Sequence, residues 1–194
     1  MAADVRIGSN VTLTLPGPFY DGEMSNRVWI VCTNLFLDSS SQIDVSQKGY
    51  RRDSGPGAGL ASPYYGGGGH GGMGGRSGVG GAAYGTAAEP VTPGSGGGGA
   101  GSGAGGGVVR IDALGLVVVN GKILSTGGPD GGGWASGAGG SVFLSCRTFT
   151  GTNGSLTANG GANNSANGSG GGGRVAIVYD YSDQAGLAGG PTNM

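Results

Sequence analysis

The stretch Gly115-Leu-Val-Val-Val-Asn-Gly121-Lys122 is the nearest this chain comes to a phosphate-binding loop. In such a loop the backbone amides of a glycine-rich turn cradle phosphate and a following Ser or Thr holds magnesium. Five residues rather than four separate these glycines, and Ile123 stands where the hydroxyl is needed. The apolar residues between them read as a strand rather than a loop exposing amides. His70 is the single histidine, and a metal site built on it would need carboxylates or thiolates, none of which neighbour it in sequence. A Ser-His-Asp arrangement needs a rigidly held imidazole, whereas His70 sits among eight nearby glycines, which predicts a polar side chain on a loop surface. Asp38, Asp44, Asp53, Asp112, Asp130, Asp180 and Asp183 are dispersed, without calcium-loop spacing. No catalytic, cofactor-binding or metal-ligating set emerges, and the expected protein is not an enzyme.

Bulk composition narrows the partners. Of 194 residues, 51 are glycine and only 11% are charged, with a net charge of -1, so nothing attracts nucleic acid or anionic lipid electrostatically. Arg-Gly-Gly units of RNA-binding tails are missing, since Arg76 and Arg174 are followed by Ser and Val. No run approaches the roughly 18 apolar residues of a membrane span. The N-terminus lacks the pattern of a signal peptide, so the chain either stays inside the cell or is a mature piece of a longer one. Asn10-Val-Thr12, Asn153-Gly-Ser155, Asn163-Asn-Ser165 and Asn167-Gly-Ser169 are N-glycosylation acceptors, a motif that chance also produces in a chain rich in Asn and Ser.

A repeat underlies the bias. VRIDALGLVVVNGKILSTGG from Val109 and VFLSCRTFTGTNGSLTANGG from Val142 align over a 33-residue displacement, setting Leu116 against Phe149. Val175, Ile177 and Tyr179 begin a third copy, and Val28, Ile30 and Cys32 belong to an earlier one that continues, after a one-residue slip, into Ile43 and Val45. Apolar positions at i, i+2 and i+4 have the period of a strand with one buried face. One such unit cannot bury that face alone, so units must stack. The expected fold is all-β, a parallel β-helix or β-solenoid. Its inward columns are Val28, Val109, Val142 and Val175, then Ile30, Ile111, Leu144 and Ile177, then Cys32, Ala113 and Cys146. Two rung steps, about 9.6 Å, separate the cysteines, beyond the roughly 7 Å limit for a disulfide, which predicts buried, free thiols.

Residues 1–27 are expected to form an N-terminal strand or cap segment, residues 28–182 the solenoid and residues 183–194 a tail. Strand units fall at 28–50, 108–128, 141–161 and 174–181, with a glycine-rich insertion at 51–107. Shorter glycine spans follow at 127–140 and 160–173. They read either as flexible linkers or as extended, polyglycine II-like helices, because only glycine lets backbones approach so closely. Outward-pointing Trp29 and Val31 would need covering, which favours the ordered reading.

The segments LFLDSSSQIDVSQKGYRRDSGPGAG, GGGGHGGMGGRSGVGGAAYG, GSGGGGAGSGAGGGVVRIDA and GGSVFLSCRTFTGTNGSLTANGG together resemble the glycine-rich repeat region of large plant and protist surface proteins, some described as glycine-rich or ephrin-receptor-like. The resemblance spans roughly residues 28–180 and implies a parallel β-helix in an extracellular or cell-surface setting, with no established reaction. Tyr50-Arg51-Arg52 departs from the small residues usual there. The leading expectation is a structural or adhesive module that associates with itself or with neighbouring modules. An alternative is a carbohydrate- or surface-binding module contacting ligand through Tyr64, Tyr65, His70, Tyr84 and Trp134. A second alternative is a polysaccharide-acting enzyme on a β-helix, which would require converging carboxylates.

Overall fold

The computed structural model describes residues 3–23, 27–76, 79–162 and 166–187. Its strands are β1 (Val5–Ile7), β2 (Thr12–Thr14), β3 (Val28–Cys32), β4 (Leu35–Leu37), β5 (Gln42–Asp44), β6 (Val108–Ala113), β7 (Leu116–Val119), β8 (Lys122–Leu124), β9 (Ser141–Ser145), β10 (Thr148–Thr150), β11 (Ser155–Thr157) and β12 (Arg174–Val178), followed by the short helix α1 (Tyr181–Ala185). They form three four-stranded sheets: β1-β4-β7-β10, β2-β5-β8-β11 and β3-β6-β9-β12. Every pairing within them is parallel. The chain visits the three sheets in rotation, so each circuit pairs with the circuit before it. This arrangement fits a parallel β-solenoid, and residues 3–23 already contribute two strands to it.

The third sheet keeps the register that the repeat requires. Val28, Val109, Val142 and Val175 stand opposite one another, as do Ile30, Ile111, Leu144 and Ile177. Val109, Ile111, Val142 and Leu144 are fully buried, each such side chain contributing roughly 1.5–3 kcal/mol over its exposed state. The outermost circuits differ. Val175 is 43% exposed and Ile30 and Ile177 are only partly buried, because among the described residues no further strand covers β3 or β12. Val175 is thus no core residue in a single copy, contrary to the sequence expectation.

The first sheet corrects the 33-residue alignment. Phe149 pairs with Val117, and Leu116 faces Thr148, a displacement shorter by one. The carbonyl of Gly115 accepts from the amides of both Arg147 and Thr148, so the corner before β10 uses one residue fewer than the corner before β7. Residues 151–154, between β10 and β11, restore the alignment, since Leu156 again faces Ile123.

The glycine spans are hydrogen-bonded into a layer, and the direction of the bonds changes with every residue. Along 136–141, Ser136 and Gly139 donate to Gly168 and Gly171, Gly137 and Gly140 to Gly128 and Ser125, and Ala138 to Ser95. Residues 168–173 follow the same rule: Gly168 and Gly171 donate to Tyr65 and Gly68, Gly170 and Gly173 to Gly161 and Ala158. Along 136–141 the amides thus reach neighbours in three directions with a period of three residues, and along 168–173 they fill two such directions while the Ser169 and Gly172 carbonyls accept from Gly75 and Gly72. At many of the glycines such contact leaves no room for a side chain. A Cβ on Gly105 would lie inside the carbonyl of Gly94, and one on Gly161 inside that of Gly128. This layer does not cover Trp29 and Val31, which are 57% and 60% exposed. A different stretch crosses the third sheet instead: Glu89 binds Arg110 at 2.6 Å, the Thr92 carbonyl accepts from Ser141 Oγ at 2.6 Å, and Phe143 is buried.

Two substitutions separate these contributions. Gly105→Ala is expected to lower unfolding free energy by about 3 kcal/mol or more through forced overpacking, while Gly8→Ala, with open space around it, stays within about 0.5 kcal/mol. Leu144→Ala should cost about 2–5 kcal/mol. Urea titrations followed by circular dichroism measure all three; a neutral Gly105→Ala would mean that the layer does not close as described.

Candidate functional site

His70 is completely buried, not on the loop surface that its glycine neighbours suggest. Rigid support comes from segments remote in sequence. Nδ1 lies 2.9 Å from the Gly139 carbonyl and Nε2 lies 2.9 Å from Thr92 Oγ1. A carbonyl can only accept, so Nδ1 carries the proton of the neutral ring and Nε2 accepts from the threonine hydroxyl. The ring packs against Tyr84 with centroids 4.9 Å apart. Tyr84 Oη donates to the Pro93 carbonyl at 2.5 Å and accepts from Ser95 Oγ at 2.8 Å, while Ser95 Oγ accepts from the Gly57 amide. Arg174 donates from Nη2 to the Tyr84 carbonyl at 3.1 Å. These bonds tie residues 57, 70, 84–95, 139 and 174 into one polar cluster. Burial depresses the His70 pKa, and the Arg174 charge adds to the depression against the opposing effect of the Gly139 hydrogen bond. Burial likewise raises the Tyr84 phenol.

The five residues expected to share a binding face are divided. Tyr64 is exposed at 57%, with the Arg76 guanidinium 4.2 Å from its ring centre. Tyr65 and Trp134 pack on each other at 4.5 Å, against Gly99 and Gly101. Tyr84 and His70 belong to the interior cluster. Buried His70 therefore shares no exposed face with the other four.

A second aromatic group escaped the sequence reading although its signal was present. One position beyond each inward valine stand Trp29, Arg110, Phe143 and Ala176, in register across the third sheet. The Arg110 guanidinium sits 5.4 Å from the Trp29 ring centre and 5.3 Å from that of Phe143. Asp112 Oδ2 accepts from both Trp29 Nε1 and Arg110 Nε at 2.7 Å, and these donors outweigh its desolvation to lower its pKa. Arg110 thereby satisfies Asp112, Glu89 and two ring faces at once.

The other aspartates that the sequence singled out are similarly occupied. Asp38 and Asp44 accept from the turn residues Ser40 and Ser46, Asp53 from the Gly99 amide, Asp130 from the Gly133 amide, and Asp180 caps α1. Asp183 pairs with Arg147. Among the described residues no group of three metal-ligating side chains converges, and every buried side-chain nitrogen and oxygen has a partner. The phosphate-loop-like stretch is β7 and the start of β8, with Val117 and Val119 turned into the core. Tyr50-Arg51-Arg52 also finds its place. Tyr50 packs on Phe19 with centroids 4.8 Å apart, and Arg51 lies over Tyr20 while donating to the Pro18 carbonyl at 3.0 Å. Pro18, Tyr20 and Arg51 join Arg52, Ser102 and Ala104 in lining a surface hollow of about 130 Å³.

Cys32 and Cys146 are buried and free, with burial pushing the Cys146 thiol up to about 11 and raising that of Cys32 as well. Asn10 and Asn153 are exposed, each with a left-handed backbone in the turn leading into a second-sheet strand. Asn167 is half-buried, its Nδ2 donating to the Gly133 carbonyl at 2.7 Å, and Asn163 lies outside the described residues. No protein-family model, no curated protein and no solved structure matches this chain.

The His70 cluster generates a pH dependence of known sign. The folded pKa lies below the unfolded value of about 6.5, so the unfolded chain binds the proton first as pH falls. The stabilisation is complete above about pH 6.5 and is lost as pH drops from there through the folded pKa. Unfolding free energy measured in urea should therefore fall between neutral pH and about pH 5, above the range in which Asp112 protonates. His70→Phe should cost about 2–3 kcal/mol at neutral pH, because the Gly139 carbonyl and the Thr92 hydroxyl lose a partner, and should flatten this slope. A slope unchanged in His70→Phe would assign it to other groups.

Proposed function

We propose that this chain is a non-catalytic structural or adhesive module of an extracellular or cell-surface protein, a scaffold that extends by adding further circuits at its ends. The observation that carries this reading is the fate of the chemistry-bearing side chains. His70, Tyr84, Asp53, Arg110, Asp112, Arg174 and Asp183 are engaged in holding segments together, and the layer beside the sheets is built largely of backbone. On this reading the three sheets close into a parallel β-helix and the glycine spans are polyglycine II-like helices. The three-residue rotation of their hydrogen bonds supports that assignment, because an extended helix of three residues per turn has no internal bonds and directs each successive amide to a different neighbour. The exposed sequons at Asn10 and Asn153 and the resemblance to glycine-rich regions of surface proteins support the extracellular placement.

Rigidity distinguishes a scaffold from a flexible tether. Amide hydrogen exchange by mass spectrometry should show residues 66–69 and 135–140 protected roughly 10³-fold or more over an unstructured chain, as expected of bonds opened only by sub-global unfolding. Exchange at the unstructured rate in both segments would overturn the scaffold reading. The extracellular placement has its own test. Expressed through a secretory pathway, the protein should carry glycan at Asn10 and Asn153, detected as a mass shift at each; unmodified sites would remove that support.

A further inference from the structure

We infer that this protein stacks head to tail on a second copy of itself and that α1 is a removable plug which holds it in the unstacked state. The inference deepens the proposed scaffold role and rests on it. Each sheet contains four strands, so the described chain makes a whole number of circuits. It begins in the first sheet and ends in the third. At the leading end β1 and β2 are outermost while the third sheet stops one circuit short, at β3. At the trailing end β12 projects one circuit beyond β10 and β11. The step at one end therefore complements the step at the other. A second copy advanced by four circuits, about 19 Å, would place its β1 on β10, its β2 on β11 and its β3 on β12. All strands run parallel, so this translation preserves every strand direction and closes no ring.

The apolar columns end where this junction would form. Val175 is 43% exposed at the trailing end and stands in the column that begins at Val28. Leu156 is partly buried and shares a column with Leu13, which is 36% exposed at the leading end. Stacking would cover each of them with the next member of its own column. Backbone bonding capacity matches as well. The carbonyl of Cys32 faces β6, where it accepts from the Leu114 amide, so by strand alternation the peptide groups of Trp29 and Val31 face the open edge of β3.

One feature stands in the way. Gln184 of α1 is buried, and its side-chain amide lies along the open edge of β10. Phe149 N–H donates to Oε1 at 2.8 Å and Nε2 donates to the Phe149 carbonyl at 2.9 Å. This amide satisfies both groups that a following parallel strand would satisfy. Arg147, beside Phe149, holds the plug in place through its ion pair with Asp183, and its carbonyl accepts from the Asp180 amide at 3.1 Å. α1 and the β1 strand of a second copy thus compete for one edge. Among the described residues no strand or helix pairs with the outer edges of β11 and β12, so a second copy can dock on those two before it displaces the helix. Open edges invite such pairing, and proteins restrain it by covering them.

The test uses the full chain, with Gln184→Ala to weaken the plug and Gln184→Glu as a second variant that keeps the volume but removes the donor to Phe149. Sedimentation velocity and negative-stain microscopy over a concentration series give the readout, and hydrogen exchange at the Phe149 amide, expected to speed up, confirms that the plug has loosened while the circular dichroism spectrum is retained. The plug-weakened chains should form unbranched rods with a repeat of about 19 Å. They should do so at roughly tenfold lower concentration than the parent, the ratio expected when two competing hydrogen bonds are weakened. Adding Val31→Pro, which removes an outward amide from an edge strand, should abolish the rods. Rods forming at the same concentration in the parent and both variants would overturn the plug while leaving end-to-end growth standing. Rods that survive Val31→Pro would overturn the strand junction. Single copies throughout, in loosened variants as in the parent, would overturn the inference together with the growth reading beneath it.

Discussion

A peptide group removed from water has to find a hydrogen-bond partner, and here two different geometries meet that demand side by side. In the sheets, alternate residues face a neighbouring circuit and the intervening side chains fill a dry column. In the glycine layer, successive amides such as those of Ser136, Gly137 and Ala138 bond to different neighbouring segments, so little space is left over for side chains. The two geometries share a boundary. Gly140 donates to the Ser125 carbonyl and Ser141 to that of Gly107, carrying the chain from the layer into β9 without an unpaired group. Packing in the layer is consequently a matter of backbone approach distance, which is why it depends on the lack of Cβ atoms at positions such as Gly105 and Gly161.

This division explains where polar side chains settle. A layer this poor in side chains has little hydrophobic core of its own and needs fixed points. His70 supplies one, reaching the Gly139 carbonyl and Thr92, and Tyr84 supplies another through Pro93 and Ser95. On the far face of the third sheet, Arg110 joins β3, β6 and β9 through Trp29, Asp112 and Phe143. Side chains with catalytic potential elsewhere act here as fasteners. The terminal circuits use the same economy, a single glutamine amide standing in for a strand.

Much of this was legible in the sequence, for a physical reason. Inward positions of stacked strands must repeat, so Val28, Val109, Val142 and Val175 identify themselves, and the positions that follow them spell out the Trp29, Arg110 and Phe143 row. Corners are under weaker constraint, since a residue can be dropped at Arg147 and made up within residues 151–154, and the first-sheet register could not be read from a fixed period. Burial of His70 was invisible because everything that covers it comes from segments more than a dozen residues away. Exposure of Val175 could not be read either, for a repeat records what each circuit is built to cover, not whether another circuit follows. The role of Gln184 rests on one side chain meeting one strand edge, and no local pattern announces that.

Scalar couplings transmitted across hydrogen bonds, measured by NMR on isotopically labelled protein, address the layer most directly because each coupling identifies both donor and acceptor. The account requires the amide of Ser136 to couple to the carbonyl of Gly168, that of Gly137 to Gly128 and that of Ala138 to Ser95, three consecutive residues bonded in three directions. Glycine amides with coil-like shifts and no such couplings, or consecutive amides all coupled to one neighbouring segment, would contradict it.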